Sequence, residues 1–181
     1  ERARETIEKS ETSRGLTEKE KEKISKIVGI GAVKYNDLSQ YPSKDIVFDW
    51  EKVLNLKGNS APYLQYTFAR CQSVLRKAKR LQIANCKLKI EELKKEEIEI
   101  LREIYKFPEI VQESAEKFSP NLICNFVFNL AKLYNSFYDL HPILRAEEKE
   151  IKKFRLTLTK AIAQIIKNSF WLLGIELPER M

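Results

Sequence analysis

The sequence is poor in glycine, proline and histidine, and it contains no long apolar run. Five Gly and six Pro in 181 residues are too few for an all-β chain with its frequent turns, and favour long uninterrupted helices. One histidine and three scattered cysteines, Cys71, Cys86 and Cys124, with no CxxC pair, cannot build the usual four-ligand metal set, so no metal site is expected. Nor do they offer a Ser-His-Asp or Cys-His pairing for nucleophilic catalysis. His141 beside Pro142 reads as a loop residue. With no secretory signal in view, the thiols read as reduced and packed in an intracellular, cytoplasmic protein. No stretch approaches the roughly eighteen apolar residues that span a bilayer, so no membrane partner is expected. P-loop and dinucleotide fingerprints are missing. Gly29-Ile30-Gly31 lies inside a helical pattern, where it reads as a site of close helix packing.

What is present is charge on an apolar frame. Apolar residues make up 43% and charged residues 33%, with a net charge of +7. The length is enough to bury one core with an N-terminal appendage, and the basic excess favours an anionic partner. Residues 70–95 hold nine Lys or Arg against two Glu. This run is either one side of a solvated helical hairpin or a patch that tracks a phosphate backbone.

The helices can be placed by their caps and periods. Residues 1–9 are helix-compatible, and 10–15 form a polar connector. Thr17 and Glu20 form a capping box for a helix reaching Leu38, with Ile24, Ile27, Val28 and Gly31 on one face. Pro42 ends it. The segment 45–50 alternates like a strand, although an extended stretch or a helical turn fits as well. A turn at Gly58-Asn59-Ser60 then precedes a helix with Pro62 at its first position, running to Leu81 or beyond. Leu64, Phe68, Cys71, Leu75 and Ala78 form its apolar stripe, and Tyr66, Arg70, Ser73 and Lys77 a second stripe able to stack on bases and neutralise phosphates.

Pro108 marks a fresh helix start. Ser119 as N-cap with Pro120 in the first turn marks a clearer one, for a helix ending near Leu140. Phe126, Leu130, Leu133 and Phe137, with Val127, Ala131, Tyr134 and Tyr138 beside them, make that helix apolar over a wide arc. The last helix is expected from about Ala146 to Leu173, with Leu172 among its buried residues and Gly174 as a left-handed cap. The fold class is therefore an all-α helical bundle.

Three blocks carry a resemblance to a known family. Val28–Trp50 reads VGIGAVKYNDLSQYPSKDIVFDW, Gly58–Ala78 reads GNSAPYLQYTFARCQSVLRKA, and Arg155–Met181 closes on WLLGIELPERM. In this order they resemble the C-terminal, anticodon-binding (DALR-type) part of arginyl-tRNA synthetases, class I enzymes that ligate arginine to tRNA(Arg) with ATP and Mg. The resemblance implies a bundle of the class I anticodon-binding type over 44–181. It makes 1–43 a helical connector from a catalytic domain that is absent, along with its HIGH and KMSK signatures. The chain starts at Glu1 rather than Met and is expected to be a fragment that begins after the active site. On this reading it has no catalytic residue and no cofactor of its own, ATP and Mg belonging to the parent enzyme. Its partners are tRNA(Arg) and the catalytic domain of the same polypeptide, and it is a monomer.

The resemblance also implies where RNA is read. Gly58, Asn59, Tyr63, Gln65 and Tyr66 occupy the loop and helix start that lie against the anticodon loop. Tyr134, Phe137 and Tyr138 match a Y-N-x-[YF]-Y segment whose rings line a base pocket, with Phe137 lacking the hydroxyl common in relatives. Met181 ends the chain near that pocket. Each ring has a packing alternative. Phe137 and Tyr138 are assigned to binding and Tyr134 to the core. Arg70 is either an RNA contact or, like Arg155, a buried ion-pair partner of Asp37, Asp49 or Glu51. The rival readings are a basic helical scaffold with a Tyr-rich partner groove, or the equivalent domain of a cysteinyl or methionyl enzyme.

Overall fold

The computed structural model describes residues 2–8, 15–78 and 93–181, and within these all regular structure is helical. Eight helices follow in order: α1 (Arg2–Glu8), α2 (Glu18–Leu38), α3 (Trp50–Val53), α4 (Ala61–Lys77), α5 (Lys95–Tyr105), α6 (Phe107–Glu116), α7 (Asn121–Leu140) and α8 (Lys149–Leu172). The all-α bundle expected from composition is what forms. Among the described residues no helix is long and apolar enough to cross a membrane.

Caps explain most of the boundaries. Thr17 and Glu20 form the expected capping box on α2. Ser60 is the N-cap of α4 and accepts from the Tyr63 N–H, which puts Pro62 at the second helical position rather than the first. At the other end of the chain, Gly174 takes φ 65°. The Ile175 N–H then reaches the Phe170 carbonyl and the Gly174 N–H the Trp171 carbonyl, the paired bonds of a Schellman ending.

Segment 45–49 carries no regular structure and α3 follows it as one helical turn, in line with the non-strand alternatives left open for it. Three expectations need correction. Ser119 does not cap α7: its hydroxyl donates to the Lys117 carbonyl, Pro120 takes the cap position, and Phe118 turns the chain at φ 48°. The last helix starts at Lys149 rather than Ala146, and Leu172 is exposed. Arg155 is buried, but its partner is Glu97, at 2.7 Å, with the Pro142 carbonyl accepting at 2.9 Å. The reach of α4 past Ala78, the basic run at 79–92 with Cys86, and most of the 10–15 connector lie outside the described residues.

The core forms where α4, α7 and α8 meet, around Leu64, Phe68, Leu130, Tyr134, Ile162 and Phe170, with α5 and α6 packed on α7. On the other side of α4 a smaller cluster joins Ile7 of α1, Ile24 and Val28 of α2, Ala69 and the terminal Met181, with Tyr66 packed against it. Gly31 leaves room beside α2 for the Gln65 side chain and the tail. A Cβ there would stand 2.8 Å from Gln65 Nε2 and 3.0 Å from Ile175 Cγ2, so both would have to shift. This is the close packing expected of the Gly29-Ile30-Gly31 step.

Candidate nucleic-acid interface

Asn135 on α7 lies at the centre of a polar and aromatic surface shared with α4. Its amide nitrogen donates to the Tyr63 hydroxyl and to Thr67 Oγ1, each at 2.9 Å, while its carbonyl oxygen accepts from Arg70 Nη1 at 2.6 Å. Thr67 Oγ1 in turn donates to the Tyr63 carbonyl. Arg70 also donates through Nη2 to the Tyr66 hydroxyl at 3.2 Å. Its guanidinium lies over two rings, 5.0 Å from the Tyr66 centroid and 4.6 Å from that of Tyr138. Tyr63, Tyr66 and Arg70 reach the same surface because they occupy the i, i+3, i+7 positions of α4.

Two properties make this surface fit for single-stranded nucleic acid. Both phenols accept from inside the cluster, which leaves each O–H hydrogen to donate outward, toward the acceptor atoms on a base edge. The rings are half-exposed and backed by a cation, so a base stacked on them gains both dispersion and charge. The surface continues along α7 to Phe128, which meets Tyr63 edge-on at 5.7 Å and carries Lys132 over its ring at 5.7 Å.

The expected site residues divide into three groups. Tyr63, Tyr66, Arg70 and Tyr138, 38% exposed, converge on this surface. Gly58 and Asn59 lie in the loop that leads into α4. That loop is held by Asn55, whose side chain accepts from the Lys57 N–H and whose carbonyl accepts from Ser60. The Asn59 side chain accepts from the Tyr35 hydroxyl at 2.6 Å. Gln65, Phe137 and Met181 are each 0% exposed. Gln65 faces away from the platform and donates to the Glu176 carbonyl at 2.9 Å, pinning the C-terminal tail. Phe137 packs between Tyr134 and His141, with Arg155 over its ring. Met181 fills the small cluster behind Tyr66. In this conformation none of the three presents a face to a base. Tyr134 is buried, as the packing assignment required.

Beneath the surface burial favours the neutral forms of the Cys71 thiol and the Tyr134 phenol. Burial pushes the Cys71 thiol up to about 12, partly offset by the nearby Tyr134 hydroxyl. Burial likewise lifts Tyr134 well above the ordinary phenol value, with Cys71 adding to it. Asn135 is the residue that sequence reading missed. It stands inside the Tyr134–Tyr138 segment, on the α7 face that also carries Phe128, Lys132 and Tyr138.

The DALR anticodon binding domain family matches residues 64–181, which take in nearly all of α4 together with α5 to α8 and the tail. The chain belongs to that family. Tyr66, Arg70, Asn135 and Tyr138 fall inside the DALR match, with Tyr63 just before it, and the resemblance read from the three blocks holds. Residues 1–50 match a second family, described as the class I (R) tRNA synthetase catalytic domain. The arginine–tRNA ligase of Pyrococcus abyssi is 47% identical over 186 aligned residues, 99% of this chain and 29% of the relative. Among solved structures, Thermus thermophilus arginyl-tRNA synthetase superposes with a TM-score of 0.89 at 28% identity, over 99% of this chain and 30% of that one. The Plasmodium falciparum arginyl-tRNA synthetase does so at 0.80 and 25%, over 99% and 31%. The DALR chain described here thus spans under a third of the length of these relatives.

Proposed function

We propose that this chain reads the anticodon loop of tRNA(Arg) as the C-terminal part of an arginine–tRNA ligase. The observation that carries the reading is the Tyr63–Asn135–Arg70–Tyr66–Tyr138 cluster, where outward phenol donors and a cation-backed ring pair occur together, all but Tyr63 inside the DALR match. Unstacked anticodon bases offer both faces for stacking and open edges for hydrogen bonds, which is what such a surface can use. Asn59 and the preceding loop would flank the same bases. Gln65, Phe137 and Met181 would act by shaping the platform from behind rather than by touching RNA.

The division of labour follows from the parts present. Arginine activation, with its ATP and Mg, would belong to the catalytic part of the same polypeptide, with the whole acting as a monomer. Among the described residues no group of three or more His, Cys, Asp or Glu comes together, and no step here runs through Mg.

The test is salt-dependent binding of an arginine tRNA transcript against duplex DNA. Neutralised phosphates release counterions, so log affinity for tRNA should fall linearly with log salt, with a slope of roughly 0.7–0.9 per phosphate contacted. The transcript should bind more tightly than the duplex. A flat salt response, or equal affinity for both, would contradict the proposal and favour a protein partner.

A further inference from the structure

Half of the large apolar side chains that are exposed among the described residues fall within positions 30–50. Ile30 is 60% exposed and Trp50 46%, and Val33, Ile46, Val47 and Phe48 are exposed with them. Ile30, Val33, Phe48 and Trp50 form one patch rather than scattered positions. Ile30, Val33 and Trp50 line a single cavity of about 470 Å³ with Arg2, Lys26 and Leu54. Phe48 meets Trp50 edge-on at 4.7 Å, and the Arg2 guanidinium sits 5.2 Å over the Trp50 ring. A contiguous apolar surface with a receiving hollow marks an interface, whereas single exposed leucines do not. None of these residues belongs to the platform around Asn135.

We infer that this patch is where the catalytic part of the same polypeptide docks, an inference that rests on the ligase reading above. Two findings select that occupant. The patch falls almost wholly inside residues 1–50, the portion that matches the catalytic-domain family rather than the DALR family. The relatives also carry more than twice as much additional chain as the part matched here. A segment whose family body lies elsewhere in the polypeptide must leave uncovered the apolar groups that this body buries. Lys26 already sits 4.0 Å from Glu22 Oε1, so Arg2 is the cation that defines the rest of the occupant. It presents an apolar projection to Ile30, Val33 and Trp50, with a carboxylate beside it for Arg2. Trp50 is the anchor, since a large aromatic in a partly desolvated pocket is the residue type on which interfaces concentrate their energy.

Hydroxyl-radical footprinting tests this without altering the fold. The 181-residue chain alone, the chain with arginine tRNA, and the intact ligase are labelled in parallel, with Trp50 and Phe48 read against Tyr105 and Phe118, both highly exposed on and beside the α5–α6 pair. The expected result is a severalfold loss of labelling at Trp50 and Phe48 in the intact ligase only. Equal labelling in all three samples overturns the inference. So does protection that needs tRNA, or that rises with the concentration of the chain alone and marks a second copy as the occupant. A tRNA titration on the same samples separates the two claims: if tRNA binds normally while Trp50 stays unprotected, anticodon reading stands and the docking surface falls.

Discussion

Arg70 Nη1 donates to Asn135 Oδ1 over 2.6 Å, and through this bond α4 and α7 present one surface instead of two. The two residues lie 65 positions apart, so local helix propensity cannot bring them together. The α4–α7–α8 core does so, and the hydrogen bond then fixes the guanidinium beneath Tyr66 and Tyr138. Asn135→Ala should lower affinity for arginine tRNA by about tenfold, the scale of one hydrogen bond to a charged group. Arg70→Lys should fail to restore the surface, because an ammonium cannot hold Asn135 and Tyr66 in a planar fork. Titrations of the two variants check this, and parent-like binding by Asn135→Ala would show that the link is not used.

Adjacent rings on α7 should behave oppositely. Tyr138 is part-exposed on the platform, so Tyr138→Ala should cost roughly 1–3 kcal/mol of RNA affinity with little change in melting. Phe137 is enclosed in the core, so Phe137→Ala should cost about 3–5 kcal/mol of stability and affect binding only through unfolding. Parallel melts and titrations separate the two. If Phe137→Ala melts like the parent but loses tRNA, the buried assignment is wrong.

Alkaline pH should weaken the fold through its packed thiols. Burial raises both Cys71 and Cys124 from 9.0 to about 12. A group whose folded value is raised favours the folded state fully below its unfolded value, and that contribution is lost as pH rises through the folded one. The loss should therefore fall between about pH 9 and 12. At pH 8 neither thiol should react with a maleimide until denaturant is added, as peptide mapping would show. Native-state labelling at the rate of a free thiol would contradict the packing.

Much of the bundle could be read from the sequence because caps and periods are local. Thr17 with Glu20 and Gly174 at a left-handed turn each satisfy orphan backbone groups within a few residues, and both hold. Where partners are distant, the reading failed. Arg155 pairs with Glu97, 58 residues upstream, and no pattern near Arg155 indicates it. Gln65 looks like a surface neighbour of Tyr66 until the tail returns to cover it at Glu176. Helical period alone also cannot settle Phe137 against Tyr138. The two are one residue apart on an arc apolar nearly all round, and the packing of α8 and His141 decides which ring is enclosed.

The central claim is that the surface around Asn135 reads anticodon bases. The most direct measurement is the affinity of this chain for arginine tRNA transcripts that differ only in the middle anticodon base, at one fixed salt concentration. The account predicts that changing this base weakens binding by roughly 1–3 kcal/mol, the scale of one stacked base, and that Tyr138→Ala removes most of the difference between transcripts. Equal affinity for all transcripts, with the parent chain binding each of them, would contradict it.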